Sequence, residues 1–261
     1  MSSPVTEVPV QSVKRALDAL DYVAAECIAR DGVRLGEIAD NLGLKATTMR
    51  NILRTMEACG YMGRTEDRLY RPGHRCARLA FGGAHVRALL SAARPAMDAL
   101  AESTGESLVL TCLAGGTRRV LARHEGGHLL TVNAQRMDEG NPYRLVTTRV
   151  LLAHAHPDEV RAFVARCGAP GGLWDSATTA EQVREAAHKL RDRRVTEYHP
   201  SEDVVALACP VEAGITGVPV ALGMYLPSVR YGPERADQLR SALAEMAEGI
   251  AREIQPNEQG S

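Results

Sequence analysis

Apolar side chains recur every three or four residues in three segments near the start of the chain, at 11–29, 35–41 and 47–59. This spacing places them on one face of a helix, so each segment is predicted to be helical. Ser12 is a residue type that caps a helix start, and Gly43 follows the second segment where a helix end favours a left-handed residue. Three short helices are therefore expected before residue 60.

The next segment, YMGRTEDRLYRPG at 61–73, has two short strand-like arms around a Glu-Asp turn. That arrangement is typical of a β-hairpin. Two helices, a Gly-containing turn, an amphipathic helix and a hairpin follow one another in the order of a winged helix-turn-helix. In this motif the last helix of the three enters the DNA major groove, and the hairpin reaches toward the flanking backbone.

The pattern changes after residue 82, where strands and helices are mixed. A long Ala-rich helix is expected at 85–103, kinked or broken near Pro95. The mixture that follows predicts an α+β fold with a central antiparallel sheet. Its strand-like stretches are at 107–114, 118–125, 128–135, 203–211 and 218–226, and its helices at 145–154, 157–167, 180–194 and 233–254. The expected domains are 1–82, a linker helix at 83–104, and 105–261.

Composition is ordinary for a folded protein of two domains, with 261 residues, 45% apolar and 24% charged. The longest apolar runs, such as 204–211, are too short to cross a bilayer. Residues 1–17 lack the basic head and apolar core of a signal peptide. The six cysteines are scattered without a C-x-x-C pair, which indicates reduced thiols. We therefore expect a cytoplasmic protein with no membrane segment.

The net charge is −1, but basic and acidic residues are unevenly distributed along the chain. Between residues 41 and 80 there are eight basic residues and only three acidic ones. This basic block begins at the amphipathic segment 47–59 and continues through the predicted hairpin. A local excess of this kind is typical of a surface that binds a polyanion.

The segment 47–59 has a second stripe, opposite its apolar one. Thr47, Arg50, Asn51 and Arg54 repeat with helical spacing. Such a stripe is either an ordinary solvated face or a surface that contacts DNA bases. The turn before it, the hairpin after it and the basic block favour DNA.

Arg50 can donate two hydrogen bonds to guanine, and Asn51 can pair with adenine. Other polar residues nearby are better placed for phosphates, which fix the register on DNA without selecting a sequence. The predicted DNA-binding residues are Lys45, Thr47, Thr48, Arg50, Asn51, Arg54, Arg64, Arg68 and Arg71.

Several stretches resemble the IclR family of bacterial transcriptional regulators. They are QSVKRALDAL, LGEIADNLGLKATTMRNILRTMEACGYM, YRPGHRCARLA, and ALACPV followed by PVALGMYLP. The resemblance implies a dimeric or tetrameric repressor or activator with a GAF-like C-terminal domain that binds a small metabolite, often a carboxylate. A homodimer would require a palindromic operator; the resemblance leaves a dimer of dimers open.

Matching to the family pattern also implies an effector-binding set: Leu145, Val146, Thr147, Asp203, Val205, Gly223 and Tyr225. This chain departs from the family at three places. Asn51 stands where the family usually has arginine. Thr148 and Arg149 replace a Gly-Lys pair, and Gly223-Met224-Tyr225 replaces a Ser-x-Ser. Tyr225 therefore implies either a narrowed cavity or a ligand held by stacking and one hydrogen bond.

Other functions have weaker support. No nucleophile, dinucleotide or phosphate-loop motif is present, so we expect no catalytic residue and no cofactor. The histidine pairs 124/128 and 154/156 lack the further ligands that a metal site needs. The basic residues after residue 185, which lie mostly in the stretch 185–195, are interleaved with acids and are interpreted as solvated surface. The alternatives that stay open are a small-molecule enzyme and a regulator whose C-terminal domain serves only for assembly.

Overall fold

The protein is described by a computed structural model, which covers residues 8–27, 29–80, 83–133, 140–212 and 218–254. The chain divides into two compact units, Met1–Leu79 and Ala80–Ser261. Within the described ranges, no helix is both long enough and apolar enough to cross a membrane. Helix and sheet are combined, as the sequence predicts, and the fold is α+β.

The first unit is built from short helices and a two-stranded hairpin. Its core contains the apolar stripes that the spacing predicts, among them Val23, Ile38 and Leu53, each fully buried. Gly43 has a positive φ of 61°, as expected at the end of the second helix. The elements are α1 (Gln11–Glu26), α2 (Leu35–Asn41), α3 (Ala46–Ala58), β1 (Met62–Arg64), β2 (Tyr70–Pro72) and α4 (His74–Ala80).

Two details of this unit differ from expectation. The N-cap of α1 is Val10, which makes no side-chain cap, so the prediction that Ser12 caps the helix is wrong. Helix α4 was not predicted from the sequence, since its seven residues are too few to show a helical period and directly follow the hairpin. The backbone N–H of Arg75 donates to the Gly60 carbonyl at 3.0 Å, and this bond holds the start of α4 against the turn that follows α3.

The second unit consists of a five-stranded antiparallel sheet with helices on both faces, and its strand order is β4-β3-β7-β6-β5. The strands are β3 (Ser107–Leu113), β4 (Arg118–His124), β5 (Thr196–Ser201), β6 (Val204–Pro210) and β7 (Val220–Pro227). The helices are α5 (Ala84–Thr104), α6 (Val146–Ala153), α7 (Pro157–Cys167), α8 (Ala180–His188) and α9 (Pro233–Ile254), with 3-10 turns at Pro142–Arg144 and Ser228–Arg230.

The helices form one layer on each face of the sheet. Helix α6 packs directly on the sheet, with α7 and α8 beside it, over a core that includes Tyr143, Val146 and Phe163. Helices α5 and α9 pack together on the other face. Helix α5 continues through Pro95. Because proline has no N–H, the Ser91 carbonyl lacks its usual helical donor at position 95. Pro95 and Ser91 are both exposed, so water can take the place of that donor.

The structure corrects three expectations in this unit. Residues 128–133 form no strand, and the rest of the predicted strand lies outside the described residues. Helix α8 ends at His188 instead of 194, because the charged run that follows has no apolar face to bury. Strand β5 was missed, since its sequence TEYHPS is polar and contains proline.

Candidate functional site

Helix α3 has one buried face and one exposed face. Met49 and Leu53 are fully buried in the core of the first unit. Arg50, Asn51 and Arg54 are all exposed. Because these two sets alternate with helical spacing, packing of the apolar face fixes the direction in which the polar face points. The buried side of α3 therefore fixes the orientation of the polar stripe.

The N-terminal end of α3 also faces solvent. Lys45 is the N-cap, its side chain makes no cap, and its carbonyl accepts the Met49 N–H at 3.0 Å. Thr47 is exposed and Thr48 is half-buried. Backbone N–H groups at a helix start carry partial positive charge and commonly bind phosphate.

The hairpin presents three further cations. Arg64, Arg68 and Arg71 are all exposed, and Arg68 lies in the turn with a positive φ of 63°. Arg64 pairs across the ladder with Tyr70 and lies 5.3 Å from its ring centroid. Arg71 pairs with Gly63, one position away, so Arg64 and Arg71 project from opposite faces of the hairpin.

These cations are not neutralised within the part of the chain that the structure describes. No described carboxylate lies within ion-pair distance of Lys45, Arg50, Arg54, Arg64, Arg68 or Arg71. Arg30, in the same unit, shows the contrast, because it pairs with Glu26 at 2.5 Å and Glu37 at 2.7 Å. The positive charge of α3 and the hairpin remains available to an external anion.

In the second unit, the start of α6 packs against the sheet where the family pattern implies an effector. Leu145 and Val146 are buried, and Thr147 is fully buried as well. The Thr147 hydroxyl accepts hydrogen bonds from Nε and Nη2 of Arg118 at 3.3 and 3.1 Å. Burial lowers the pKa of Arg118. Sequence reasoning missed Arg118, because it comes from β4, 29 residues earlier in the chain.

Gly223 permits the close approach of α6 to β7. A Cβ at this position would lie 2.5 Å from Cγ2 of Thr147 and 3.2 Å from Cγ1 of Val109. Both distances are shorter than ordinary van der Waals contact, so only glycine fits here without a shift of its neighbours. At this place α6 and β7 are therefore packed closely together.

Tyr225 lies two residues further along β7 and is also buried. Its hydroxyl has no hydrogen-bond partner of good geometry among the described residues. Burial raises the pKa of Tyr225, while the positive charge of Arg118 and the nearby Thr147 hydroxyl act in the opposite direction. A buried hydroxyl without a partner is costly and suits a site that a ligand could complete.

The strand register separates two of the expected effector residues from the rest. Tyr225 pairs with Ala206 and Gly223 with Ala208, and both alanines belong to the core under α6. Val205 pairs with Leu226, so it projects toward the opposite face, where α9 packs. Asp203 precedes β6 and is exposed. Val205 and Asp203 therefore do not lie with Gly223 and Tyr225 opposite Leu145, Val146 and Thr147, as matching to the family pattern implied.

Arg149 is a second buried cation of this region. Its guanidinium lies between two rings, 3.9 Å from the centroid of Tyr198 and 5.1 Å from that of Trp174. It donates from Nε to the Tyr143 carbonyl at 2.9 Å and from Nη2 to the Leu173 carbonyl at 2.8 Å. Burial lowers the pKa of Arg149. The side chain ties α6 to the loop that carries Trp174.

The histidines considered as metal ligands have other neighbours. His124 Nδ1 lies 2.8 Å from Oδ1 of Asp98, and His128 Nε2 lies 3.2 Å from the Thr104 carbonyl. Within the described residues, neither ring belongs to a group of three ligand side chains close enough to share an ion. Both contacts tie the end of β4 and the loop after it to α5.

Comparisons with known proteins agree with this architecture. The model of the IclR helix-turn-helix domain matches residues 12–65, and the model of the bacterial transcriptional regulator IclR C-terminal domain matches residues 82–252. No curated protein matches the chain.

Solved structures share the fold over almost the whole chain. An IclR-type regulator from Silicibacter sp. TM1040 is 22% identical with a TM-score of 0.53, covering 93% of this chain and 96% of that one. An IclR homologue from Microbacterium sp. strain HM58-2 is 20% identical, with a TM-score of 0.52 and coverage of 94% and 98%. The Thermotoga maritima IclR is 17% identical, with a TM-score of 0.50 and the same coverage.

The two family models together cover most of the chain and coincide with its helix-turn-helix and its sheet domain. Members of that family regulate transcription and are not enzymes. With a DNA-binding helix-turn-helix and a C-terminal effector domain, this chain belongs to the IclR family of bacterial transcriptional regulators.

Proposed function

We propose that the exposed face of α3 contacts operator bases and that a small molecule bound beneath α6 controls the affinity for that operator. The observation that carries the DNA part is the unneutralised polar face of α3, held in place by its buried apolar face. On this proposal the protein acts in the cytoplasm, where the chromosome is accessible.

Base recognition is assigned to Arg50 and Asn51, with Thr47 and Arg54 beside them. A guanidinium fork matches the two acceptors of guanine, and a side-chain amide matches the donor and acceptor of adenine. Each such pair contributes about 1–3 kcal/mol of discrimination. The four side chains are exposed on one face of α3, which supports this assignment.

Phosphate binding is assigned to Lys45, Thr48, Arg64, Arg68 and Arg71. These residues lie at the start of α3 and on the hairpin, and the four basic ones have no described carboxylate partner. Because Arg64 and Arg71 project from opposite hairpin faces, one of them contacts the backbone more closely than the other. Phosphate contacts add affinity for any sequence and are weakened by salt.

A homodimer is supported by an apolar stripe on the outer face of α1. Val13 and Leu17 are 55% and 56% exposed and share one side of the helix, and Val10 at its N-cap is 52% exposed. Large apolar side chains in a continuous stripe favour contact with another surface. A second copy of α1 fits this stripe, and a two-fold dimer requires a palindromic operator. A dimer of dimers would double this arrangement.

The effector site is assigned to Leu145, Val146, Thr147, Gly223 and Tyr225. Arg118 joins them through its hydrogen bonds to Thr147. The narrow packing at Gly223 and the unpartnered Tyr225 hydroxyl favour a small ligand that accepts or donates a hydrogen bond at that hydroxyl. To control DNA binding, the ligand must bind the two states of the protein with different affinity.

Two substitutions separate base contacts from phosphate contacts. Arg50→Ala should weaken binding to a selected operator about fivefold to a hundredfold and leave binding to scrambled DNA little changed. Arg68→Ala should weaken both duplexes alike and reduce the salt slope by about one. Fluorescence anisotropy titrations on the two duplexes at several salt concentrations measure both effects. Equal losses on both duplexes for Arg50→Ala would refute its assignment to bases.

The effector assignment is tested by a metabolite screen that follows the thermal unfolding midpoint. A ligand that binds only the folded protein raises the midpoint. Its effect should be reduced in Tyr225→Phe, which keeps the ring and removes the hydroxyl. The same ligand should change the operator Kd of the unmodified protein. A stabilising ligand whose effect is unchanged in Tyr225→Phe would contradict the proposed site.

A further inference from the structure

A cavity of about 640 Å³ opens between residues 191–194, the end of β6 and the last turns of α9. It lies apart from the residues assigned above to the effector. Ala244, Ala247 and Ala251 lie on one side of α9, and Cys209 at the end of β6 is also buried. Short side chains at these four positions leave the space open and give it an apolar floor.

Arginines line the rim of this cavity. Arg191, Arg193 and Arg194 come from the segment after α8, and Arg252 comes from α9. Arg194 Nη2 lies 2.8 Å from Oε1 of Glu248. The other three have no described carboxylate within ion-pair distance. The arginines of this segment, which were interpreted from the sequence as solvated surface, therefore lie around the cavity.

His154, the residue after α6, does not line the cavity, but its charge interacts with that of Arg191 on the rim. Its Nε2 atom is buried and has no hydrogen-bond partner in the ranges that the structure covers. Burial and the positive charge of Arg191 lower the pKa of His154, while Glu212 and Asp192 act in the opposite direction.

We propose that this arginine-lined cavity is a second ligand site and that it takes a small organic dianion, a dicarboxylate or a phosphate monoester. Guanidinium groups form paired hydrogen bonds with carboxylate and phosphate oxygens. The volume is in the range of small-molecule sites, and the alanine floor accepts a short carbon skeleton. Asp192, Glu212 and Glu248 on the same rim disfavour a long polyanion such as DNA.

The site is tested by isothermal titration of the full chain with adipate and with phenyl phosphate, using adipamide and phenol as neutral controls. At least one dianion should bind, and both neutral analogues should not. The double variant Arg193→Gln/Arg252→Gln should weaken binding about tenfold or more. The matched control is Arg184→Gln on α8, whose arginine is exposed, pairs with Glu181 and lies outside the cavity.

A further variant distinguishes this site from the one beneath α6. Tyr225→Phe should leave the dianion affinity unchanged, whether or not the effector proposal holds. Binding of adipate alone would identify the ligand as a dicarboxylate, and binding of phenyl phosphate alone would identify it as a phosphate monoester. The inference is overturned if neither dianion saturates the protein below about 10 mM. It is equally overturned if Arg184→Gln weakens binding as much as the double variant, or if Tyr225→Phe abolishes binding.

Discussion

Arg149 is a buried cation that connects α6 to the segments packed around it. Arg149 is 9% exposed, is enclosed by the rings of Trp174 and Tyr198, and has no described carboxylate partner. Its charge is balanced instead by two backbone carbonyls and two aromatic faces. A buried ion held in this way is costly to disrupt, because its partners stay buried when it is removed.

Replacing Arg149 should therefore destabilise the second unit strongly. We expect Arg149→Ala to lower the free energy of unfolding by roughly 2–5 kcal/mol, since two buried carbonyls lose their donor. Arg149→Lys should lose less, because it keeps the charge but not the planar fork. Urea unfolding followed by the fluorescence of Trp174, the only tryptophan, measures the loss. Arg144→Ala, an exposed neighbour, is the control, and equal effects of Arg144→Ala and Arg149→Ala would contradict this account.

Tyr143 gives the second unit a pH dependence at high pH. Burial raises the pKa of its hydroxyl to about 12, and the hydroxyl donates to the Gly168 carbonyl at 2.8 Å. Between the ordinary tyrosine pKa of about 10 and this value, the unfolded chain has lost the proton that the folded chain keeps. Stability should therefore be fully present below pH 10 and fall from about pH 10 to 12.

The measurement is a series of urea titrations across that range. Tyr143→Phe should be less stable at neutral pH, because the Gly168 carbonyl loses its donor, but its stability should fall less steeply above pH 10. An identical slope in the two proteins would mean that Tyr143 is not the group responsible.

At the scale of elements, the close contact between α6 and β7 depends on glycine at position 223, which has no Cβ. We expect Gly223→Ala to destabilise the second unit by about 1–3 kcal/mol, since the new methyl group would lie too close to Thr147 and Val109. Thr147→Ser removes the methyl group 2.5 Å away while keeping the oxygen that Arg118 contacts. The double variant should therefore recover part of the loss.

Trp174 fluorescence in urea provides the four stabilities for a double-mutant cycle: those of the unmodified protein, the two single variants and the double variant. Gly249→Ala is the matched control, because nothing lies within 4 Å of its added Cβ and it lies within α9. It should be neutral or stabilising by roughly 0.5–1 kcal/mol. Additive effects of Gly223→Ala and Thr147→Ser would show that the two residues do not compete for the same space.

Element type was predictable where one face of a segment is buried. The stripes of α1, α3 and α9 have helical period because each packs on a core, and the polar stripe of α3 follows from the same pattern. The partners of Tyr225 were not predictable. They depend on the pairing of β3, β6 and β7, and a one-residue change of register exchanges the two faces of a strand. For that reason Val205 was grouped with Gly223 and Tyr225, although it lies on the other face of the sheet.

Contacts between residues that are far apart in the chain could not be predicted from the sequence either. Arg118 and Thr147 are 29 residues apart, and neither shows by its neighbours that the other is close. The gathering of Arg191 and Arg252 around one cavity is of the same kind. Strand β5 lacked a signal because a polar strand at the edge of a sheet has no apolar alternation.

At the scale of the whole molecule, the two units have different surface chemistry. The first exposes cations without a described carboxylate partner and an apolar stripe on α1, and the second has an arginine-lined cavity that opens at its surface. If the α1 stripe joins two copies, Leu17→Asp should shift the protein toward monomer in sedimentation velocity. Arg15→Ala, exposed on the same helix away from Val13, should not. An unchanged oligomeric state in Leu17→Asp would place the interface elsewhere.

The most direct test of the account is selection of bound duplexes from random DNA. The unmodified chain should enrich a motif with two-fold symmetry, because two copies of α3 would contact two half-sites. The variant Thr47→Ala/Arg50→Ala/Asn51→Ala should still bind DNA through its remaining cations but enrich no motif. Enrichment of the same motif by that variant would show that the exposed face of α3 does not select the bases, and would contradict the proposed function.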